Sequence, residues 1–256
     1  MTGPAPNSDA LLSVRDLRVR FDTVTGPVEA VRGVGFDLMP GRTLALVGES
    51  GSGKSVSAFS LLRLLPGNAH IHSGSALLRD GDDTLDVLSL PPKDPRIFDL
   101  RGGSAGIIFQ EPMTALSPVH KVGEQVAEGL RIHRSMDKKE AWEAAVAMLD
   151  RVGIPDPAAR AQQYPFEFSG GMRQRVVIAM ALVCRPRVLI ADEPTTALDV
   201  TVQAQILSLI EELRAEVDAA VLFITHDLGV VAQVADDVAV MRNGRVVETA
   251  PVGDLY

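Results

Sequence analysis

The octapeptide Gly48–Ser55 constrains the fold of this chain more than any other segment. It reads Gly-Glu-Ser-Gly-Ser-Gly-Lys-Ser and fits the pattern G-x-x-x-x-G-K-[ST]. The apolar run Thr43–Val47 precedes it, and Lys54–Leu65 has the pattern of a helix that ends before Pro66 and Gly67. A glycine-rich turn between a strand and a helix lets backbone N–H groups surround phosphate oxygens. We therefore expect an α/β fold with a phosphate-binding loop.

The loop predicts ATP and Mg²⁺ as ligands. In this motif the lysine reaches the β- and γ-phosphates, and the hydroxyl of the last residue ligates Mg²⁺. The alternative is an ordinary glycine-rich turn from strand to helix. We assign nucleotide binding to every residue of the loop: Gly48, Glu49, Ser50, Gly51, Ser52, Gly53, Lys54 and Ser55.

A second apolar run, Val188–Ala191, leads into two carboxylates. In phosphate-loop ATPases the acid that ends such a strand holds Mg²⁺, and we expect this role for Asp192. The adjacent Glu193 is placed to polarise the attacking water. Taken alone, the pattern also describes a strand that runs into a solvated acidic turn. Its occurrence together with the phosphate loop favours the catalytic interpretation.

The segment Phe168–Arg175 reads Phe-Ser-Gly-Gly-Met-Arg-Gln-Arg. It resembles the signature of ATP-binding cassette (ABC) proteins, usually written Leu-Ser-Gly-Gly-Gln. Ser169, Gly170 and Gly171 can open a helix whose free N–H groups and dipole face a γ-phosphate. A capped helix start without ligand is the alternative. The segment precedes the acidic strand by about 20 residues, which is the order that the family shows.

The resemblance implies roles for further residues. It makes Gln110 the glutamine that senses Mg²⁺ and the γ-phosphate, and His226 the switch histidine that contacts the γ-phosphate. Thr196–Asp199 resembles the loop that communicates across a dimer, and Phe21 the aromatic residue that stacks on adenine. Polar residues at strand ends are otherwise satisfied termini, and Phe21 could be a core residue. We expect the remaining histidines to be solvated: His70, His72, His120 and His133.

Longer segments are similar to the bacterial dipeptide/oligopeptide and nickel importers. Phe166 and Phe168 replace the His and Leu that are usual there, and we expect both to pack as apolar residues. That family commonly continues into a C-terminal extension, which in many members carries a cysteine-bound iron–sulfur cluster; the sequence stops at Tyr256 without it, by nature or by truncation. The similar segments are Gln110–Pro118, Gly123–Glu128, Gly171–Arg175 and Asp192–Gln203.

The predicted fold is a phosphate-loop ABC-type domain over residues 11–256. Its core sheet is mostly parallel, with an antiparallel N-terminal β subdomain and a helical subdomain inserted at about 112–182. In the N-terminal part we expect strands at Leu12–Phe21 and Val28–Leu38 with a turn at Gly26–Pro27. Asn243–Gly244 predicts a hairpin near the end. Met1–Ala10 has no apolar signal core and is expected to be a flexible tail.

Composition limits the alternatives. Hydrophobic residues make up 46% of 256, which is enough for a full core. The 25 basic and 33 acidic residues give a charge of −8, which argues weakly against nucleic acid as a partner. The single cysteine, Cys184, cannot form an internal disulfide and is expected to be a buried hydrophobe. No apolar stretch reaches the ~18 residues of a membrane span, so other chains must supply any membrane part.

The function implied is an ATPase subunit that energises solute import, most directly of di- or oligopeptides. ATP would lie between Gly48–Ser55 of one domain and Ser169–Gly171 of a second ABC domain, identical or paralogous. Further expected partners are integral membrane permease subunits and, through them, an extracytoplasmic solute-binding protein, at the cytoplasmic face of the membrane. Import of nickel or another solute, and a soluble ABC ATPase acting on nucleic acid or ribosomes, remain alternatives. A nucleotide kinase would not explain Ser169–Arg175.

Overall fold

The computed structural model describes residues 7–81, 83–91, 93–196 and 198–255. The chain divides into two compact units, one formed by Met1–Phe98 with Asp218–Tyr256 and the other by Asp99–Val217. Residues 1–6 of the predicted N-terminal tail lie outside the described ranges, whereas Ala10 is buried. The domain boundaries inferred from the sequence, including those of the helical subdomain, stay predictions.

The strands follow the apolar runs of the sequence. In chain order they are β1 Leu12–Thr23, β2 Gly26–Leu38, β3 Thr43–Val47, β4 Ala69–Asp80, β5 Asp83–Asp86, β6 Ala105–Ile108, β7 Val188–Asp192, β8 Ala220–Thr225, β9 Asp237–Arg242 and β10 Arg245–Pro251.

The α-helices begin after β3 and fill the segment between β6 and β7. They are α1 Lys54–Leu61, α2 Pro95–Leu100, α3 Pro112–Ala115, α4 Val122–His133, α5 Lys138–Arg151, α6 Pro157–Arg160, α7 Gly170–Leu182, α8 Val200–Val217 and α9 Leu228–Val234. Among the described residues no helix is long and apolar enough to cross a membrane.

An antiparallel sheet in the first unit has the order β2-β1-β4-β5. The hairpin between β1 and β2 turns at residues 24–25, so the predicted turn at Gly26–Pro27 is wrong. Both of those residues already pair with β1, Gly26 with Thr23 and Pro27 with Asp22. The Thr23 hydroxyl donates to the Gly26 carbonyl at 2.6 Å. This hydrogen bond spans residues 24–25, so the loop closes two residues before the predicted turn.

The first unit also holds β3 between two parallel neighbours, β8 and β9. Every residue of β3 and β8 is buried, as expected for parallel strands covered on both faces. Their register pairs Val47 with Thr225, so the residues that follow both strands emerge at the same edge. The predicted hairpin joins β9 to β10, and Asn243 and Gly244 both have positive φ, as a type I′ turn requires.

Helix α1 ends at Leu61, earlier than the Leu65 that the sequence predicts. Arg63 takes a left-handed conformation with φ 55°. The Arg63 N–H then donates to the Ser60 carbonyl and the Leu64 N–H to the Phe59 carbonyl, which is a Schellman ending. The helix is therefore closed by its own backbone before Pro66 is reached.

The second unit pairs β6 with β7 in parallel and surrounds them with helices. Helix α5 begins with a capping box: the Asp137 side chain accepts from backbone N–H groups, and the Glu140 side chain accepts from the Asp137 N–H. Helix α7 packs on β6 and contacts α4, α5 and α8. Its fully buried Ile178 and Val176 lie in the core of this unit.

Candidate nucleotide-binding and hydrolysis site

The phosphate loop follows the buried strand β3 directly. Gly48, Gly51 and Gly53 have φ values of 150°, 77° and 101°, which L-residues rarely adopt. A Cβ on Gly48 would lie 2.2 Å from the Met241 carbonyl oxygen, and one on Gly53 would lie 2.6 Å from that of Ala30. Two of the motif glycines are therefore required by contacts as well as by backbone conformation.

Lys54 begins helix α1 and is only 6% exposed. Its Nζ donates to the carbonyl oxygens of Gly48, at 2.7 Å, and Glu49, at 3.0 Å. The ammonium group thus lies against the loop, and Ser55 stands one residue further into the helix. The loop also contains the buried Ser52 Oγ, which has no hydrogen-bond partner within the described part of the chain.

The phosphate loop has the features of a binding site for a nucleoside triphosphate. The loop combines a buried cation, a buried hydroxyl with spare hydrogen-bonding capacity and glycines that keep side chains out of the cradle. Mg²⁺ in such sites prefers oxygen ligands from one or two carboxylates together with substrate phosphates. The predicted metal ligands Ser55, Gln110 and Asp192 all carry side-chain oxygens, so the donor chemistry fits as well.

His226 follows β8 as Gly48 follows β3. Because Val47 and Thr225 are register partners, the histidine and the start of the loop leave the sheet side by side. Gly48, Glu49 and His226 line the same cavity of about 440 Å³, whose other walls are aliphatic. The structure therefore brings the predicted switch histidine to the phosphate loop within the first unit.

The acidic strand β7 is buried along its whole length, and Asp192 is 2% exposed. Glu193 comes next and is only partly exposed, with φ 47°. A non-glycine residue in the left-handed region costs about 1–2 kcal/mol. Such conformations persist where the surrounding structure enforces them, and they concentrate at functional sites.

Gln110 meets Glu193 within the second unit. Gln110 follows β6 and Glu193 follows β7, and the parallel register of Ile108 with Ala191 carries both to one edge. The Gln110 amide Nε2 lies 3.1 Å from Glu193 Oε2, and the Thr196 hydroxyl donates to the same oxygen at 2.9 Å. The hydroxyl of Thr196 was not predicted to hold Glu193; the signal available was the i, i+3 spacing across a proline turn.

The signature segment begins helix α7. Ser169 is the N-cap, and its Oγ accepts from the Met172 N–H at 3.3 Å. A Cβ on Gly170 would meet nothing within 4 Å, so the approach to this helix start is open on that side. A helix therefore begins at Ser169–Gly171, as both interpretations of the sequence require. Its contact with a γ-phosphate stays a prediction.

Three further predictions concern Phe166 with Phe168, the adenine-stacking Phe21, and the loop Thr196–Asp199. Phe168 is 3% exposed and packs as expected. Phe166 was also expected to pack, but it is 63% exposed and stacks on the Tyr164 ring, with 5.6 Å between the ring centroids. Phe21 is partly exposed near the end of β1, and its contact with adenine stays a prediction. Within Thr196–Asp199, Ala197 lies outside the described residues, and Asp199 Oδ1 accepts from the Val202 N–H.

Two expectations about individual side chains have structural outcomes. Cys184 is 2% exposed, and burial raises the pKa of its thiol. His133 was expected to be solvated, but it is partly buried. This burial lowers the pKa of its imidazole, and its ring lies against Gly102.

A protein-family model described as ABC transporter matches residues 31–196. A dipeptide transport ATP-binding protein of Bacillus subtilis is 53% identical over 249 residues, which cover 97% of this chain and 72% of that protein. An oligopeptide transport ATP-binding protein of Escherichia coli is 52% identical over 249 residues, with the same coverage of 97% and 72%. A putative peptide import ATP-binding protein of Brucella melitensis is 52% identical over 248 residues, 96% of this chain and 73% of that protein.

Solved structures agree with this assignment. A dimeric bacterial ABC transporter cassette, MJ0796, has a TM-score of 0.81 and 25% identity, and the match covers 94% of this chain and 98% of that one. The cbiO1 protein of Clostridium perfringens, part of an ABC transporter complex, has a TM-score of 0.77 and 28% identity, with coverage of 97% and 91%. The predicted fold class is confirmed. The chain belongs to the ABC transporter family, and it is an ATPase built on the ATP-binding cassette.

Proposed function

We propose that this chain energises the import of di- or oligopeptides by hydrolysing ATP for a separate membrane permease. The observation that carries the proposal is the identity of 52–53%, over 96–97% of the chain, with proteins named as dipeptide, oligopeptide or peptide import ATP-binding proteins. The site described above supports the ATPase half of the proposal independently, because its residues suit phosphate binding and water activation.

ATP would bind with its phosphates in the Gly48–Ser55 loop. Lys54 holds a positive charge at the loop, where it stabilises the β- and γ-phosphates. Ser55, Gln110 and Asp192 would hold Mg²⁺, which when bound neutralises negative charge on the β- and γ-phosphate oxygens. Phe21 would stack on the adenine ring.

Hydrolysis needs positioning more than covalent help from the protein. Glu193 would orient the attacking water and accept its proton. Gln110 and Thr196 support this role because both donate to Glu193 Oε2 and so limit the rotation of its carboxylate. His226 would contact the γ-phosphate from the side of the loop that begins at Gly48.

A second cassette, identical or paralogous, would complete each site. The open start of helix α7 at Ser169–Gly171 would face the γ-phosphate of ATP held by the partner. The dimeric cassette among the similar structures supports this arrangement. Closure on ATP and opening after hydrolysis would shift the permease between two states, because the nucleotide favours only one of them.

The chain would act as a peripheral subunit at the cytoplasmic face of the membrane. Integral permease subunits would be its direct partners, and an extracytoplasmic solute-binding protein would act through them. The second unit exposes apolar side chains that suit such docking: Met113 is 50%, Val119 73% and Ile132 64% exposed. Single exposed hydrophobic residues are common, and the first unit also carries some, such as Val24 and Val247. These three side chains therefore support the docking role only together with the family assignment.

Uptake measurements test the proposal. Cells that lack this chain are complemented with the wild-type sequence or with Glu193→Gln, and uptake of a labelled dipeptide, a labelled tripeptide and Ni²⁺ is measured. We expect only the wild-type sequence to restore peptide uptake, with Ni²⁺ uptake equal in all strains. The matching binding protein loaded with peptide should also stimulate ATP hydrolysis by the permease complex recovered from membranes.

The outcomes separate the two halves of the proposal. If cells that lack this chain take up peptides normally but lose uptake of Ni²⁺ or another solute, the peptide assignment is wrong. The assignment as an ATPase would be unaffected. A hydrolysis rate that responds to nucleic acid or ribosomes and never to a permease would overturn transport itself.

A further inference from the structure

Glu193 is the first residue of a tight turn that ends at Thr196. The Thr196 backbone N–H donates to the Glu193 carbonyl at 3.2 Å, and the Thr196 hydroxyl donates to the Glu193 carboxylate at 2.9 Å. Pro194 and Thr195, between them, are both buried. Thr196 therefore holds both the backbone and the side chain of Glu193 by hydrogen bonds within this turn.

One buried amide from another element reaches this turn. Gln174 is 1% exposed, and its Nε2 donates to the Pro194 carbonyl oxygen at 2.7 Å. Its neighbours on helix α7 point elsewhere: Arg173 Nε donates to the Pro165 carbonyl and Arg175 to the Val152 carbonyl. Of these three consecutive side chains, Gln174 is the one that connects the helix to the Glu193 turn.

The connection starts close to the signature. Ser169 caps helix α7, and Gln174 lies just over one helical turn further along the same helix. A hydrogen bond to the Pro194 carbonyl fixes the plane of the peptide between Pro194 and Thr195. That plane determines where Thr196 returns to Glu193, which itself holds a left-handed backbone.

We propose that Gln174 is a positioning residue for hydrolysis, which ties the helix begun by the signature to the turn that aims Glu193. Movement of helix α7, when Ser169–Gly171 engages nucleotide on a partner cassette, would then reach the Glu193 of the same chain. This inference rests on the proposed function, in which Glu193 orients the water and the signature faces the partner's ATP.

The test replaces Gln174 with methionine, which keeps the length and volume of the side chain and removes the amide. We expect the kcat for ATP hydrolysis by the full-length chain to fall about 10-fold, since small misplacements at a reacting centre cost this much or more. The KM for ATP should change less than about threefold, because the Gln174 side chain is buried and its amide is bonded to the Pro194 carbonyl.

Gln125→Met is the matched control. Gln125 is also buried in the second unit, and its amide donates to the carbonyls of Ser117 and His120, away from the Glu193 turn. Thermal unfolding gives the folded fraction of each variant, so that rates are compared per folded molecule. We expect kcat of Gln125→Met within about twofold of wild type, as for a site that is not coupled to Glu193.

A double-mutant cycle separates positioning from general loss of stability. If Gln174 acts through Glu193, then Gln174→Met should change the residual single-turnover rate of Glu193→Gln by less than about twofold. If Gln174→Met does not fold, Gln174→Asn supplies the same comparison, because its shorter amide cannot reach the Pro194 carbonyl.

The inference is overturned by an unchanged kcat in a folded Gln174 variant, by additive losses in the cycle, or by an equal loss in Gln125→Met. Near wild-type hydrolysis by Glu193→Gln alone would instead overturn the catalytic role of Glu193, and this inference with it. An inactive Glu193→Gln beside a fully active Gln174→Met would leave the proposed function intact.

Discussion

The amide of Gln110 donates to the carboxylate of Glu193, with 3.1 Å between Nε2 and Oε2. Eighty-three positions separate the two residues in sequence, and the parallel pairing of β6 with β7 brings them together. A carboxylate held in this way cannot rotate freely, so its direction toward a water molecule is set before substrate arrives. Preorganisation of this kind lowers the cost of orienting groups during reaction.

Glu193→Gln should separate binding from hydrolysis. The change keeps the size of the side chain and removes the carboxylate that would accept a proton, while Lys54 and Asp192 remain. We expect Mg-ATP affinity to stay near wild type and hydrolysis to fall at least ~100-fold, the lower range for a general base. Equilibrium nucleotide binding and phosphate release measure the two quantities. Hydrolysis at the wild-type rate would show that Glu193 is not the base.

Lys54→Ala should weaken Mg-ATP binding, because it removes a positive charge from the β- and γ-phosphates and water replaces that contact poorly. Lys138→Ala, on the exposed start of helix α5, is the matched control for loss of one lysine charge. Titration of both variants with a fluorescent ATP analogue measures the affinity. If the two bind ATP equally well, the nucleotide does not occupy the Gly48–Ser55 loop.

Ser169→Arg should prevent closure of two cassettes on ATP. In the Glu193→Gln background, ATP is retained and should hold two domains together, whereas ADP should not. An arginine at Ser169 would fill the open helix start that is expected to face the partner's γ-phosphate. Light scattering of the chain alone, and of the natural complex if a paralogue is the partner, measures association. Undiminished ATP-dependent association of the Ser169→Arg variant in both settings would refute the shared site.

Gly53→Ala should destabilise the fold more than Gly51→Ala. Both positions have positive φ, so both substitutions carry a penalty of about 1–2 kcal/mol. At Gly51 the new Cβ meets nothing within 4 Å, whereas at Gly53 it would lie 2.6 Å from the Ala30 carbonyl oxygen. We expect an additional loss of about 1–3 kcal/mol at Gly53 for this steric overlap. Urea unfolding of both variants measures the difference, and equal stabilities would contradict it.

Cys184 should react slowly with thiol reagents in the folded protein. Burial raises the pKa of its thiol above the usual value, so less thiolate is present near pH 7, and the side chain is only 2% exposed. We expect modification at least ~100-fold slower than in denaturant, with the rate rising as pH approaches the raised pKa. Mass spectrometry after timed labelling measures both rates. Rapid labelling of the native protein at pH 7 would contradict the buried placement.

Local chemistry explains the features that were predictable. β3 has the bounds of the apolar run Thr43–Val47. Asn243 and Gly244 place the last hairpin because they readily adopt positive φ. Where a local interaction competes with the pattern, prediction fails: the left-handed Arg63 ends α1 early, and the Thr23 hydroxyl moves the first turn.

The sequence by itself determined that this chain has a phosphate loop, an acidic strand and a signature, since each is a short run of residues whose types and spacing carry the chemistry. Only the tertiary structure decided which side chains meet. Parallel pairing sets Gln110 beside Glu193 and His226 beside Gly48, and packing buries Gln174 against Pro194. The reason is physical: strand register and helix packing determine distances between residues that are remote in the chain, and no local pattern encodes those distances.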